Sequence, residues 1–457
     1  MKRKKWLMLG LSMLLIFVLS VSAVGCRPKT KGYAFLEEDL SVPIDANIDP
    51  DTSGEITIGI MAQSSEEIIL SKLIADFNLE YPNIKVNIEK ISGNYISMLL
   101  THIPAKTMPD LYWTDPTYQS IYLEAQLPFN LTNYIDQSGL NMDEYIPQAT
   151  VPCKAGDTDY YVTMPRDYSH LCMYYNRAIL NEVGLKDPSN DWTWSDFLTY
   201  ANKIAKESEI NHGFPVLDGQ LTWEAIFCTF LFSYGGNVID EDGNVVLADG
   251  IESGDNPCLK MLNDLVKLGD EGILTRDRSV SSGASFQAKK SAFYMHSRPV
   301  LTNMYEILGQ DLGVVAFPAI GNDPQAVGGP TGYSIYRGSD KKDLAWAFLK
   351  YMMSNAGQEV LSTSGNILPC KTSVLQAENA TWKQYPEGTN IDHDAYIAHA
   401  DRGTFINFLN YMVPGSQEDG LGYLRSMIDA VMLDRREPKG EVIACAEKFE
   451  LVQKSRS

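Results

Sequence analysis

Ile56, Ile58 and Ile60 alternate with Thr57 and Gly59, the period of a strand with one buried face. The Gln63-Ser64-Ser65-Glu66 stretch reads as a loop ending in a helix cap. From Ile68 to Tyr81, the residues Ile69, Leu70, Leu73, Ile74 and Phe77 recur at helical spacing, and Pro82 stops the pattern. Ile84, Val86 and Ile88 predict a second strand, Tyr95 to Ile103 a second helix, and Leu111 to Trp113 a third strand after the Pro109 break. This alternation predicts an α/β fold with parallel strands joined by right-handed crossovers. In such sheets ligands bind beyond the carboxyl ends of the strands. Asp115 and the Gln63-Ser64 loop stand at two such ends.

Further on, Tyr160 to Asn176 is strand-like but interrupted by Arg166, Asp167, Tyr168, Ser169 and His170. A charged insert between apolar runs suggests a chain crossing between lobes. Residues 192–197 open a helix with Ser195 as its cap, and Trp223 to Tyr234 is an apolar helix ending at Gly235-Gly236. Residues 238–249 read as a hairpin turning on Asp242-Gly243. A calcium loop would need Glu at its twelfth position, where Ile251 stands. Residues 292–299, 313–320 and 328–337 predict strands, 340–354 a helix, and 404–433 helical structure broken at Pro414-Gly415 and Gly420.

Composition adds the setting. Lys2 to Lys5 are positive, Leu7 to Gly25 is almost wholly apolar, and Cys26 closes the run, which marks residues 1–25 as an export signal. An uncleaved membrane anchor is the alternative. Ala23-Val24-Gly25-Cys26 resembles the lipobox of bacterial lipoproteins, with Ala23 where that motif prefers Leu. By that likeness Cys26 is lipidated and residues 26–54, polar and with three prolines, form a flexible tether at the membrane face. Net charge is −20, and loss of residues 1–25, which hold four cations and no acid, deepens it to −24. So acidic a chain makes nucleic acid an unsuitable partner. The remaining six cysteines are scattered without a CxxC pair and are expected as buried free thiols, Cys153 with Cys172 being the pair to check.

Enzyme signatures are scarce: there is no HExxH, GxSxG, GxxxxGK[ST], or GxGxxG after a strand, and among the many acids no particular glycosidase pair stands out. The six histidines do not cluster, and Asp392-His393-Asp394 reads as a solvated loop. No cofactor and no metal is expected. The positive signal is aromatics beside polar residues at strand ends and turns: Trp113 near Asp115, Tyr168 beside Arg166 and Asp167, Trp223 beside Glu224, Tyr294 and His296 before Arg298, Tyr333 after Thr331, and Tyr411 after Asn407 and Asn410. Sugars need that mixture, an aromatic face for the ring and planar polar groups for the hydroxyls. Any single aromatic here is more often core than contact.

Four stretches together resemble the extracellular solute-binding proteins of bacterial ABC sugar importers, the maltodextrin-binding class. They are residues 74–91 with 108–115, residues 160–185 with 192–197, residues 233–249, and residues 291–335 followed by the helix at 340–354. The resemblance implies a two-lobed periplasmic-binding-protein-like α/β fold, each lobe a mixed sheet flanked by helices, closing on ligand about hinge crossings. It places lobe one at 55–166 and 333–371, and lobe two at 167–332 and 372–457. The implied crossings lie near Asp167–His170, Gly328–Gly332 and Pro369–Lys371. The implied binding residues are Gln63, Ser64, Asp115, Arg166, Asp167, Tyr168, Trp223, His296, Arg298, Thr331, Tyr333 and Tyr411. Many members carry a sugar-stacking tryptophan where Arg298-Pro299-Val300 stands here, which with Arg166 leaves an anionic ligand open. The expected activity is capture of a mono- or oligosaccharide for an ABC permease, by a monomer without catalysis. The alternatives are a secreted carbohydrate-active enzyme, the same fold carrying a metal complex, polyamine or peptide, and a sensory ectodomain.

Overall fold

Two β-sheets that never share a strand organise the chain. A computed structural model describes residues 33–454 except 63–65, 157, 220, 241, 277–281, 385, 405 and 407–416. The signal, Cys26, Gln63, Ser64 and Tyr411 lie outside the described residues. Contacts divide the chain after Ala34, and the fold is that of the unit from Phe35 onward.

The strands are β1 Gly54–Met61, β2 Ile84–Ile91, β3 Leu111–Thr114, β4 Met164–Pro165, β5 Ser169–His170, β6 Cys172–Asn176, β7 Leu217–Asp218, β8 Phe293–His296, β9 Leu312–Ala316, β10 Ala326–Gly329, β11 Gly332–Ile335 and β12 Gly403–Thr404. The first sheet has the order β2-β1-β3-β11-β4. Its β1, β2 and β3 run parallel, as the strand–helix alternation predicts, with Ile58 opposite Leu111 and Ile88. Ile56, Ile58 and Ile60 are fully buried, and the helix Glu66–Glu80 covers the sheet with Ile69, Leu70, Leu73 and Phe77. By contrast β11 arrives from far along the sequence and pairs antiparallel with β3 and β4. The second sheet, β7-β8-β6-β9, has β6 at its heart, every residue of it buried. A third, short sheet of β12-β10-β5 lies on the chain between them.

Three residues, 166–168, separate β4 in the first sheet from β5 in the short one, and Pro330-Thr331 alone separates β10 from β11. The crossings are therefore tight. Gly328 pairs with His170, and an added Cβ there would stand 2.2 Å from the Ser169 carbonyl oxygen. At Gly332 an added Cβ would stand 2.1 Å from the carbonyl oxygen of Met164.

Local expectations hold with some corrections. The helix after Trp192 is capped by Thr193 and not Ser195: its hydroxyl accepts from Asp196 N–H at 3.2 Å, and Asp196 accepts from Thr193 N–H at 2.8 Å. Residues 238–249 make a turn with one isolated bridge, Ile239 to Val245, and no strand pair among the described residues. Asp240 holds that turn by accepting from the N–H groups of Asp242 and Asn244. All six described cysteines are free and buried.

The larger correction concerns the expected tether. From Phe35 the segment packs on the first lobe. Leu36 is fully buried, and Asn130 donates through its amide side chain to the Leu36 carbonyl at 2.8 Å. Asp39 is also buried, and accepts from Arg337 Nε at 2.8 Å and from Asn130 N–H at 3.1 Å. The Arg337 guanidinium lies over the Phe35 ring at 5.2 Å. Three prolines and several acids look like a linker in composition, but Phe35-Leu36 and the pairing of Arg337 with both Glu38 and Asp39 supply the docking that composition hides.

Gly332→Ala is expected to destabilise the protein by about 1–3 kcal/mol, because the methyl group meets backbone that cannot move aside. A urea melt checks this, and an unchanged midpoint would mean the crossing has slack.

Candidate functional site

A buried ionic cluster lies at the crossings. Arg166 is buried and its Nη2 donates to Asp167 Oδ2 at 2.7 Å and to Thr331 Oγ1 at 2.8 Å. Its Nη1 donates to Glu66, which also accepts from the Tyr333 hydroxyl. Thr331 in turn donates to Asp167 Oδ1 through its N–H at 3.0 Å and its hydroxyl at 2.8 Å. Burial works against the guanidinium's charge, but the carboxylates of Asp167 and Glu66 outweigh it and hold the Arg166 pKa up. Gln358 extends the cluster. It donates to the Arg166 carbonyl at 3.0 Å and accepts from Cys370 N–H at 2.9 Å. Segments near 166, 331 and 370, far apart in sequence, thus meet at one knot.

Beside this knot lies a cavity of about 220 Å³. Asp115, Thr117 and Tyr118 line it from the end of β3, and Trp223 and Glu224 from the start of the helix Glu224–Ser233. Arg166, Asp167, His170 and Thr331 line it from the crossings. The cavity therefore opens where elements of both sheets approach each other, beyond the carboxyl end of a parallel strand.

Asp115 serves two purposes. Its Oδ1 accepts from Thr117 N–H at 2.8 Å, which caps the short 3-10 turn Pro116–Tyr118. It also faces the cavity. Burial raises its pKa from 3.8 to about 6, opposed by the Thr117 hydrogen bonds and reinforced by the Glu224 carboxylate. Trp223 is half-buried and its ring lies 4.8 Å from that of His296 at an interplanar angle of 34°. Burial lowers the His296 pKa to about 4, so the imidazole is a neutral support behind the indole.

Of the expected binding residues, the structure brings Asp115, Arg166, Asp167, Trp223 and Thr331 to the cavity. His296 acts behind Trp223 and does not line it. Three others point elsewhere. Tyr168 is buried, with its ring 5.9 Å from that of His170. Tyr333 is buried against Glu66. Arg298 is 0 % exposed. It lies over Trp382 and Tyr396 at 5.0 and 4.8 Å and donates to the Trp382 carbonyl at 2.7 Å. It pins a later segment to the second sheet and offers no charge to the cavity. Both cations that suggested an anionic ligand are therefore withheld from it, Arg298 by burial and Arg166 by the knot. Glu224, Thr117, Tyr118 and His170 are lining residues that sequence reasoning missed. Glu224 carried a signal, an acid in the first turn of a helix next to Trp223.

An aromatic and carboxylate-lined cavity at the meeting of two α/β lobes is the arrangement of a solute-binding protein. Residues 72–390 match the model of the bacterial extracellular solute-binding proteins, and the chain belongs to that family. A binding protein of Brucella abortus (strain 2308) is 22% identical over 386 residues, 83% of this chain and 88% of the relative. Among solved structures, an ABC substrate-binding protein from Listeria monocytogenes in complex with cycloalternan superposes with a TM-score of 0.73 at 19% identity, covering 88% of this chain and 99% of that one. UgpB from Mycobacterium tuberculosis in complex with glycerophosphocholine gives 0.74 at 15% identity, covering 89% and 100%. Maltose-bound MalE3 of T. maritima gives 0.71 at 17%, covering 87% and 99%. These likenesses establish the two-lobed fold.

The electrostatics lead to two expected outcomes. Arg166→Met strands two buried carboxylates and is expected to destabilise by about 3–5 kcal/mol in a denaturant melt. Asp115, with its pKa raised on folding, favours the folded state most below about pH 4 and loses that contribution as pH rises through about 6. Asp115→Asn keeps the cap and should raise Tm by on the order of 1–2 °C at pH 7.5 and not at pH 4. Equal shifts at both pH values would separate the effect from ionisation.

Proposed function

We propose that the protein is the substrate-binding component of an ABC importer, capturing a mono- or oligosaccharide in this cavity and delivering it to a membrane permease. The observation that carries the reading is the pairing within one cavity of the half-buried Trp223 ring with the Asp115 carboxylate. A pyranose presents a C–H face to the first and hydroxyl donors to the second. The Listeria and T. maritima structures, in complex with cycloalternan and maltose, support a carbohydrate. In this reading lobe one comprises 55–166 and 333–371, lobe two 167–332 and 372–457, and the lobes close about the Arg166 knot. The protein acts as a monomer outside the cytoplasm, held to the membrane by lipidated Cys26, and needs no cofactor.

A raised carboxyl pKa beside a second carboxylate is also what a glycosidase acid requires, so recovery of the sugar decides between binding and cleavage. A thermal-shift screen of residues 27–457 should find a saccharide that stabilises by about 2.7 kcal/mol at 100 times its Kd and is recovered unchanged. Asp115→Ala should weaken that saccharide more than tenfold, about 1.4 kcal/mol. Unchanged affinity in a folded variant would confine Asp115 to its turn. A cleaved sugar, or no stabilising sugar, would sink the reading.

A further inference from the structure

The cavity wall is rich in carboxylates and poor in available cations. Asp115, Asp167 and Glu224 line it, and Arg166 is the one Lys or Arg among its described lining residues. Arg166 is already committed to Asp167, Glu66 and Thr331. Glu224 has Arg425 at 3.0 Å, but that guanidinium stands outside the lining and its side chain is 46% exposed, where water screens it. Even with both guanidiniums counted, the three lining carboxylates and Glu66 behind Arg166 outnumber them four to two. The histidines add no charge at neutral pH. Burial lowers the pKa of both His170 and His296. His170 Nδ1 lies 3.0 Å from the Leu171 carbonyl oxygen, a contact that favours the protonated ring but is outweighed by burial. The amino end of the helix Glu224–Ser233 carries a partial positive charge, which Glu224 in its first turn already offsets.

We propose that the cavity selects a cationic ligand, a saccharide carrying a protonated amine that Asp115 and Glu224 hold while Trp223 packs against the ring. A cation relieves the repulsion between these two acids, whereas a neutral sugar leaves it and a uronic acid adds to it. Packing of the amine-bearing ring on an indole face gains further from the positive charge. This inference rests on the carbohydrate reading and narrows it.

The test is calorimetric titration of the full chain in detergent at pH 7 with a glucosamine disaccharide, its N-acetylated form, cellobiose, maltose, a digalacturonate, and spermidine as an amine without a sugar. The glucosamine disaccharide should bind at least tenfold more tightly than its N-acetylated form and cellobiose. Glu224→Gln should shrink that ratio to below about threefold, a change in selectivity that loss of structural support alone would not produce. Tightest binding of a neutral sugar or of the digalacturonate overturns the charge selectivity and leaves the carbohydrate reading standing. Binding of spermidine with no saccharide bound overturns the carbohydrate reading and leaves the selectivity for cations. Binding of none overturns both.

Discussion

The burial of one guanidinium at the crossings is the constraint on which the rest depends. Taking Arg166 out of water is unfavourable unless charge and hydrogen bonds surround it. Glu66, Asp167 and Thr331 supply both, and each comes from a different stretch of chain. Satisfying one buried charge therefore forces three segments together. Gln358 adds a fourth by bonding the Arg166 carbonyl on one side and the Cys370 N–H on the other. The glycines at 328 and 332 allow the backbones to approach as closely as this requires. The connections out of the first sheet are shortest here, three residues between β4 and β5 and two between β10 and β11.

The knot also decides what the cavity is like. Its arginine faces the cavity but is neutralised, so the wall next to it reads as acidic and not basic. Asp115 sits at a strand end, where it caps the following turn, and Trp223 at a helix start without a side-chain cap, so the cavity presents a carboxylate and an aromatic face held by ordinary secondary structure. The rigidity comes from local geometry. The acidity of the wall comes from the charges left over once local geometry is satisfied.

Much of the first lobe was legible because isoleucine at every second position has one reading, and because prolines punctuate the helices. Asp115 and Trp223 were legible for a related reason: each stands where periodicity ends, and element ends are where side chains are free to face a cleft. Arg298, Tyr168 and Tyr333 looked the same in sequence and are buried. Within a two- or three-residue crossing, direction is set by partners that are far away along the chain, such as Trp382 for Arg298, and a sequence holds no local record of them. Glu224 illustrates the reverse. Its position was plain, but its importance appears only when Asp115 is found close enough to feel its charge. The packing of Phe35 and Leu36 was hidden in the same way, by the distant Arg337.

That early packing has a mechanical meaning. Were the chain free from Cys26 to Gly54, a molecule fastened at Cys26 could wander about 100 Å from its point of attachment. For a molecule so fastened, taking the chain into the fold from Phe35 would cut the greatest possible reach to about 30 Å, less than the width of a domain of this size. If the proposed anchor at Cys26 holds, a leash that short would confine the molecule to a thin layer above the membrane and raise its local concentration at a partner embedded there. It would also restrict the orientations the cavity can sample, so that encounter would become a problem of rotation more than of diffusion.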